Sequence, residues 1–125
     1  MHRRVAIDSK KLALRIASFA RGKKAQKVVV LDLHKVSAFC DFFVIATASS
    51  IRQVNSLADS IQDDLSRDSI KTIGRVDPMD QSGWLVLDFA TVVVHIFYKP
   101  VREFYGLERL WSDAKRVRIP RKAAI

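Results

Sequence analysis

The apolar residues of this chain recur with helical spacing in two segments, and short apolar runs lie between and after them. Asp8 or Ser9 can cap the first helix, and Gly22 is its expected stop. Ser50 and Gln53 have the spacing of a capping box and precede the second helix. In each segment the apolar positions fall on one face, which predicts amphipathic helices packed on a core. These positions are Leu12, Ile16 and Phe19 in the first segment and Ile51, Val54, Ala58, Ile61 and Leu65 in the second.

Four short apolar runs are predicted to be β-strands, over residues 28–33, 42–47, 84–89 and 92–98, and residues 70–75 can form a further strand. The runs 84–89 and 92–98 are only a couple of residues apart, which predicts an antiparallel hairpin. The strand, helix and strand between residues 42 and 75 predict a right-handed crossover with a parallel pair. Asp77 and Pro78 open a loop that runs to Gly83. Together these elements predict a single α/β domain whose mixed, roughly five-stranded sheet is flanked by helices.

The C-terminal part is predicted to hold one more helix and a basic tail. Pro100 suits the first turn of a helix, because its missing N–H would be unpaired there, and the helix is expected to reach about residue 111. One stripe of this helix is expected to be buried and the other to recognise a partner. The domain is expected to cover residues 1–114, and the tail 115–125 is expected to be the least ordered part. The two stripes are Arg102, Tyr105 and Arg109, and Val101, Phe104, Leu107 or Glu108, and Trp111.

Composition adds limits to this picture. With 125 residues, 49% of them hydrophobic and 28% charged, the chain is long and apolar enough for one folded domain. The single Cys40 excludes an internal disulfide and fits a reducing cytosol, where a small buried hydrophobic residue is its expected role. The N-terminal residues lack the apolar segment of a signal peptide, and no apolar run has the length of a membrane span. We therefore expect a cytoplasmic protein that does not enter a membrane.

The net charge of +9 is concentrated at the two ends of the chain. Residues 1–27 carry nine Lys or Arg against one acid, and residues 112–125 carry five against one. The segment between them has eight basic and eleven acidic residues, so it is mildly acidic. Basic ends favour proximity to RNA, since each Lys or Arg near a phosphate releases counterions. They are equally typical of a solvated helix face, and the sequence leaves both interpretations open.

Catalytic and metal-binding motifs are weak in this sequence. The three histidines are far apart, no Cys or His cluster has zinc spacing, and the four glycines form no phosphate-binding loop. Asp32 and Asp41 lack the close spacing of a two-metal site, and turn or cap hydrogen bonds explain them better. Ser49 and Ser50 lack the motif of a nucleophile elbow, and Ser50 is already explained as a helix cap. We therefore expect neither catalysis nor a cofactor.

Aromatic and polar side chains are crowded between residues 83 and 113. His95 lies on an apolar strand and is expected to be a structural residue, with Asp88 of the paired strand as its hydrogen-bond partner. Trp84 and Trp111 are by default core residues, but their grouping with Tyr, Arg and His is typical of a binding hot spot. The segment therefore either closes a core or faces a partner.

Three segments carry motifs that are specific in combination. They are residues 31–54, with Leu31-Asp32-Leu33 and Asp41-Phe42-Phe43-Val44-Ile45; residues 83–97, with Gly83-Trp84, Asp88 and Val92-Val93-Val94-His95-Ile96-Phe97; and residues 102–114, with Arg102-Glu103-Phe104-Tyr105 and Leu107-Glu108-Arg109-Leu110-Trp111. In order and spacing they resemble the Iojap family, also called the ribosomal silencing factor S family, over roughly residues 8–114. The hairpin tip Ala90-Thr91 departs from the Gly-Asp type of turn that is more frequent in the family.

The resemblance implies a non-enzymatic repressor of translation. Proteins of this family have a nucleotidyltransferase-like fold without a working transferase site. They bind the large ribosomal subunit through ribosomal protein L-fourteen and sterically prevent it from joining the small subunit, chiefly when nutrients are scarce. This chain is therefore expected to act on ribosomes without a metal or cofactor. Its basic termini are expected to lie near ribosomal RNA, and an exposed aromatic patch can pair two copies as a homodimer when no ribosome is bound.

The residues expected to contact the partner occupy positions that match the family. Trp84 and Tyr105 are expected to be apolar anchors, and Asp88 and Arg102 polar specificity contacts. Glu108 is expected to pair with a basic group of the partner or with an arginine of its own helix. The full expected set is Trp84, Asp88, His95, Arg102, Tyr105, Glu108 and Trp111.

Two other functions use the same α/β scaffold. A nucleotidyltransferase or another phosphate-transfer enzyme requires clustered carboxylates that bind magnesium. A stand-alone RNA-binding domain would use the basic ends. The chain lacks the paired aromatic strand motif of an RNA recognition motif and the Gly-rich clamp of a KH domain, which makes that reading weaker.

Overall fold

The computed structural model describes residues 8–74, 76 and 81–120. Within these residues, four helices and five strands follow one another along the chain. Arg75, residues 77–80 of the predicted loop, and the ends 1–7 and 121–125 lie outside the described residues. The elements are α1 (Ser9–Gly22), β1 (Gln26–Asp32), β2 (Phe42–Ala48), α2 (Ile51–Ser66), β3 (Trp84–Asp88), β4 (Val92–Tyr98), α3 (Lys99–Tyr105), α4 (Leu107–Leu110) and β5 (Lys115–Val117).

The strands form one mixed sheet in the order β3-β4-β2-β1-β5. β2 and β4 run parallel, with Phe42 opposite Val92, and the other neighbouring strands are antiparallel. β3 and β4 form the hairpin that their spacing predicts, with Trp84 opposite Phe97. The predicted fold class, an α/β domain with a mixed five-stranded sheet, is confirmed.

Side-chain caps begin both long helices. The carboxylate of Asp8, and not Ser9, caps α1 by accepting two backbone N–H groups of the first turn at 3.0 and 3.2 Å. Ser50 caps α2, where its hydroxyl accepts the N–H of Gln53 at 3.0 Å. The side chain of Gln53 turns back to the N–H of Ser49 at 2.7 Å, one residue earlier than a standard capping box. The capping signals in the sequence therefore place both helix starts correctly.

Each face of the sheet carries its own hydrophobic cluster. Because successive strand residues point to opposite faces, one set of side chains meets α1 and α2, and the other set meets α3 and α4. Val86 on the second face is 44% exposed, so the short helices cover this face only in part. The first cluster includes Ile16, Val44, Ile61, Val94 and Ile96, and the second consists of Leu31, Leu33, Ile45, Phe97 and Leu107.

Residues 70–74 do not form a strand, so the strand predicted over residues 70–75 is wrong. One backbone hydrogen bond, from the N–H of Ile73 to the carbonyl of Asp88 at 2.7 Å, joins this segment to the end of β3. Ile73 is 60% exposed, and Gly74 has a φ of +78°. Ile70 packs against the core, but the exposure of Ile73 and the positive φ of Gly74 interrupt the extended, half-buried pattern that a strand requires. The parallel neighbour of β2 is β4, reached through α2 and β3.

The fifth strand lies where the sequence predicted a poorly ordered tail. β5 pairs antiparallel with β1, with Val117 opposite Val30. Ile119 follows the strand and is only 8% exposed. A short basic strand is typical of a sheet edge, where charge discourages pairing with other chains, and it leaves little hydrophobic pattern to detect. The expectation of low order is therefore wrong for Lys115–Val117, which belongs to the sheet.

Gly106 divides the predicted C-terminal helix into α3 and α4. Its φ is +55°, in the left-handed region, and its N–H bonds to the carbonyl of Arg102 at 2.9 Å. The break separates residues 101–105 from residues 107–111, so the two predicted stripes do not continue along one helix. Arg102 is 7% exposed, although it was expected to contact a partner, and Phe104 of the other stripe is 79% exposed.

Candidate functional site

Half-buried and exposed aromatic rings gather on the sheet face that α3 and α4 cover in part. The ring of Trp84 stacks on Phe97 at a centroid distance of 4.9 Å and meets Tyr105 at 5.0 Å. Tyr105 is 53% exposed, and Phe104 packs against it at 5.1 Å. α3 starts directly after β4, so its last turn carries Tyr105 back over the first residue of β3. Trp84 and Tyr105, the two expected anchors, are therefore neighbours.

His95 is buried beneath these rings. Its Nδ1 accepts a hydrogen bond from the indole N–H of Trp84 at 3.1 Å, which places the proton of the neutral ring on Nε2. Nε2 is buried and has no hydrogen-bond partner among the described residues. Burial lowers the pKa of His95 to about 4, so the ring is neutral near pH 7. The predicted partner, Asp88, is wrong, and the structural role of His95 is supported by its burial.

Phe43 connects His95 to Trp111. The ring of Phe43 lies edge-to-face with the imidazole at 4.5 Å and with the indole of Trp111 at 5.4 Å. Phe43 and Trp111 are both half-buried. We call Phe43, Trp84, Phe104, Tyr105 and Trp111 the aromatic surface.

Asp88 lies at the opposite end of β3 from Trp84. Its carboxylate accepts the backbone N–H of Ala90 at 2.8 Å and so fixes the hairpin tip. Ala90 has a φ of +72°, a conformation that costs a residue with a Cβ about 1–2 kcal/mol. This is the position where the sequence departs from the family's usual turn. Asp88 shares a sheet face with Trp84, but its observed contact belongs to the turn.

Arg102 and Glu108 face inward as an ion pair. The guanidinium of Arg102 donates to the two carboxylate oxygens of Glu108 at 3.1 and 2.9 Å. It also donates to the carbonyl of Lys27 at 2.6 Å and to the hydroxyl of Thr47 at 2.5 Å. The hydrogen bonds from Arg102 hold the pKa of Glu108 below its usual value, against the opposing effect of burial, and the charges of Arg116 and Lys27 act in the same direction as Arg102. Of the two pairings expected for Glu108, the one with an arginine of the same chain is therefore observed.

Both acids that were considered for metal binding lie against His34. Asp32 accepts the backbone N–H of His34 at 3.0 Å and its Nδ1 at 2.6 Å, and these two bonds lower the pKa of Asp32. The hydrogen bond to Asp32 raises the pKa of His34. Asp41 lies 3.5 Å from the other imidazole nitrogen. Within the described ranges, no group of three or more His, Cys, Asp or Glu side chains is arranged to hold a metal ion.

Cys40 is half-buried, and burial is the largest cause of the raised pKa of its thiol. A raised pKa disfavours the reactive thiolate. Among residues 8–74, 76 and 81–120, no helix has the length and apolar character needed to cross a membrane.

The structure therefore brings together only some of the predicted site residues. Trp84 contacts both His95 and Tyr105, and Trp111 is connected to His95 through Phe43. Phe43 and Phe104 were missed as site residues, because Phe43 was assigned only to a strand of the family motif and Phe104 only to one of the two helix stripes. The alternation of Phe43 with Ile45 along β2 is the signal that puts Phe43 on the face of His95.

Comparison with known proteins gives consistent matches along the chain. A family model described as "Ribosomal silencing factor during starvation" matches residues 6–124. The ribosomal silencing factor RsfS of Bacillus subtilis is 35% identical over 107 residues, which are 85% of this chain and 90% of that protein. The chloroplastic protein Iojap of Arabidopsis thaliana is 32% identical over 113 residues, 90% of this chain and 47% of that protein. A crystal structure of a Bacillus halodurans protein superimposes with a TM-score of 0.72 and 34% identity, covering 87% of this chain and 98% of that one.

Proposed function

The chain belongs to the ribosomal silencing factor family, and on that basis we propose that it represses translation by binding the large ribosomal subunit through ribosomal protein L-fourteen. The bound protein would occupy a surface that the small subunit needs, so the two subunits do not join. The proposal assigns the protein to the cytoplasm and to conditions of nutrient limitation. It requires no catalysis and no cofactor, because occupancy of the contact is sufficient.

The aromatic surface carries this proposal. Trp84, Tyr105 and Phe104 lie in contact at the rim of a sheet face, and two of the three are more than half exposed. Large rings of this kind bury much apolar area at a small cost in side-chain entropy, and they are enriched among the residues that dominate binding energy. Fixed packing on Phe97 keeps Trp84 in one orientation before the partner arrives, which favours affinity.

The other predicted contact residues have supporting roles in this proposal. His95 holds the indole of Trp84 through its Nδ1. Arg102 and Glu108 fix α3 and α4 against β1 and β2, and so position Tyr105. Asp88 sits at the far end of the same face, where it is half-buried and within reach of a partner. Two copies of the chain can cover each other's aromatic surface as a homodimer in the absence of ribosomes.

Sedimentation of purified ribosomal subunits tests the proposal. Added protein is expected to reduce the fraction of joined ribosomes and to sediment with the large subunit. Tyr105→Ala and Trp84→Ala are each expected to weaken this binding roughly 30-fold or more, the effect of removing an aromatic hot spot of about 2 kcal/mol. Both variants are first checked for folding by circular dichroism, since Trp84 also packs within the protein.

Phe39→Ala is the matched control, because Phe39 is an aromatic residue that is 95% exposed on the loop between β1 and β2, at the opposite edge of the sheet. It is expected to bind the large subunit like the unchanged protein. Equal binding by folded Trp84→Ala, Tyr105→Ala and unchanged protein would show that the aromatic surface is not the docking site. Binding without any loss of joined ribosomes would refute the steric mechanism.

A further inference from the structure

The sheet has two edges at which strands begin and end, and the charged residues differ between these two edges. β1 ends, β2 starts and β3 ends at one edge, and that edge carries Asp32, Asp41 and Asp88. The opposite edge holds the start of β1, the end of β2 and the start of α3. Its cations include Lys27 and Lys99. We call the first the acidic edge, although Lys35 and Lys115 also lie there, and the second the basic edge, although it also carries Glu103 and Glu108.

A pocket of about 340 Å³ opens at the basic edge, between the first residues of β1, the end of β2 and the break between α3 and α4. Arg102 lies at its base, where Glu108 neutralises it. Lys27, Lys99 and Arg109 line the pocket and are all exposed. α3 separates this pocket from Trp84, because Arg102 points from the helix to β1 and β2 whereas Tyr105 points to β3.

The three exposed cations of the pocket outnumber its available acids. None of Lys27, Lys99 and Arg109 makes an ion pair within 4 Å or a side-chain hydrogen bond among the described residues. Glu108 is held by Arg102, with Arg116 at 3.6 Å, and Glu103 is the other carboxylate in the lining. Uncompensated cations that converge on a concave site attract an anion, because the low-dielectric walls focus their field.

We propose that this pocket binds a phosphate group of an RNA backbone. Three exposed cations that line one pocket suit a phosphodiester, which Lys and Arg recognise through charge and hydrogen bonds. The lining contains no aromatic ring on which a base could stack, so the site reads the backbone and not the sequence. This inference goes beyond the proposed docking to a ribosomal protein, since it concerns another surface and another class of partner. It also differs from RNA proximity through the chain ends, since the pocket is built from the folded domain.

Fluorescence anisotropy with a labelled single-stranded oligouridine of about 20 nucleotides tests the site. The full-length protein is compared with Lys99→Gln/Arg109→Gln across a series of salt concentrations. The double variant is expected to bind on the order of tenfold more weakly at 0.1 M salt. Its slope of log affinity against log salt is expected to fall by about 1.4, which is 0.7 for each of two lost phosphate contacts.

Lys35→Gln/Lys71→Gln is the matched control, because it removes the same two charges from exposed positions near the acidic edge. It is expected to keep the slope of the unchanged protein. As a change in the opposite direction, Glu103→Gln is expected to tighten binding more than Asp59→Asn, which removes one acid from the exposed face of α2. If the double variant does not fold, the comparison of Glu103→Gln with Asp59→Asn decides the test.

Two outcomes would overturn the proposal. Equal losses for the pocket variant and its control would mean that net charge alone governs RNA binding. If inorganic phosphate shifted the amide NMR signals of Lys27 and Gly106 while the oligouridine did not, the pocket would be a site for a small free anion. Because no ribosomal protein is present in this experiment, its failure leaves the docking proposal intact, and failure of the docking proposal leaves this one intact.

Discussion

The imidazole of His95 has one hydrogen-bonded nitrogen and one that is buried without a partner in the described part of the chain. The cost of protonating this ring in the folded state is high, because burial is the cause of its lowered pKa and the rings of Phe43, Trp84 and Phe97 surround it. A neutral His95 keeps Nδ1 as an acceptor, and this acceptor orients the indole of Trp84. Protonation of Nδ1 would place a donor against a donor, so the aromatic surface depends on the charge state of a residue beneath it.

An NMR titration of the imidazole signals is expected to show His95 neutral down to about pH 4, whereas exposed His34 is expected to titrate above its ordinary value of 6.5. The unfolded chain takes up a proton at His95 below about 6.5, so its contribution to stability is complete above that pH. It is lost as the pH falls to 4, by up to about 3 kcal/mol. His34 has the opposite sign, since its contribution is present below 6.5 and disappears as the pH rises through its folded pKa. A titration of His95 near 6.5 would contradict its burial.

The hydrogen-bond partner of His95 cannot be identified from the sequence pattern alone. Val86 lies directly opposite His95, so Trp84 and Asp88 are both diagonal neighbours at equal sequence distance. Strand alternation places all three side chains on one face of the sheet. Side-chain length and competing hydrogen bonds decide which of the two neighbours bonds to His95. The long indole reaches Nδ1, while the short carboxylate of Asp88 is taken by the N–H of Ala90.

At the scale of secondary structure, Arg102 joins four elements. β1 has an irregularity between Gln26 and Val29, and Lys27 within it has a φ of +46°. A bulge leaves a backbone group outside the ladder, and here Arg102 of α3 bonds to the carbonyl of Lys27. The same guanidinium reaches β2 and α4 through its hydrogen bonds to Thr47 and Glu108. One side chain thus supports the bulge and holds the two short helices.

Arg102→Lys is expected to destabilise the protein by about 2–3 kcal/mol, below the 3–5 kcal/mol for a fully buried pair because Glu108 is partly exposed. A single ammonium group cannot reproduce the forked donors, so one or more of Lys27, Thr47 and Glu108 would lose its hydrogen bond. Urea unfolding measures the loss. Arg109→Lys, on an exposed arginine that makes no ion pair in the described part of the chain, serves as the control and is expected to change stability by less than about 0.5 kcal/mol. Similar values for the two variants would show that the network adds little.

The elements that sequence reasoning missed are those in which tertiary contacts outweigh local pattern. The capped helices and the long apolar strands were predictable, because their pattern repeats over several turns or residues. β5 has three residues and two of them are cations, so only its pairing with β1 identifies it as a strand. Gly106 is the reverse case. The sequence pattern predicted one helix across Gly106, although its left-handed conformation ends α3 there.

At the scale of the whole molecule, the aromatic surface and the basic edge flank α3 on two sides. A protein that docks through the first and meets RNA phosphates through the second would be oriented by two different forces. Apolar burial is insensitive to salt, whereas the phosphate contact weakens steeply with it. The family match covers both surfaces, since it extends over residues 6–124.

A steric block of subunit joining has a concentration dependence that an indirect effect does not share. If this protein and the small subunit compete for one site on the large subunit, the protein concentration that halves joining must rise in proportion to one plus the ratio of small-subunit concentration to its dissociation constant. Light scattering of joining reactions at several small-subunit concentrations measures this dependence. Tyr105→Ala is expected to shift every half-inhibition point upward by its loss of affinity, roughly 30-fold, without changing the proportional rise. A half-inhibition point that stays constant as the small subunit increases would mean that the protein acts without occupying the contact, and the docking mechanism would then be wrong.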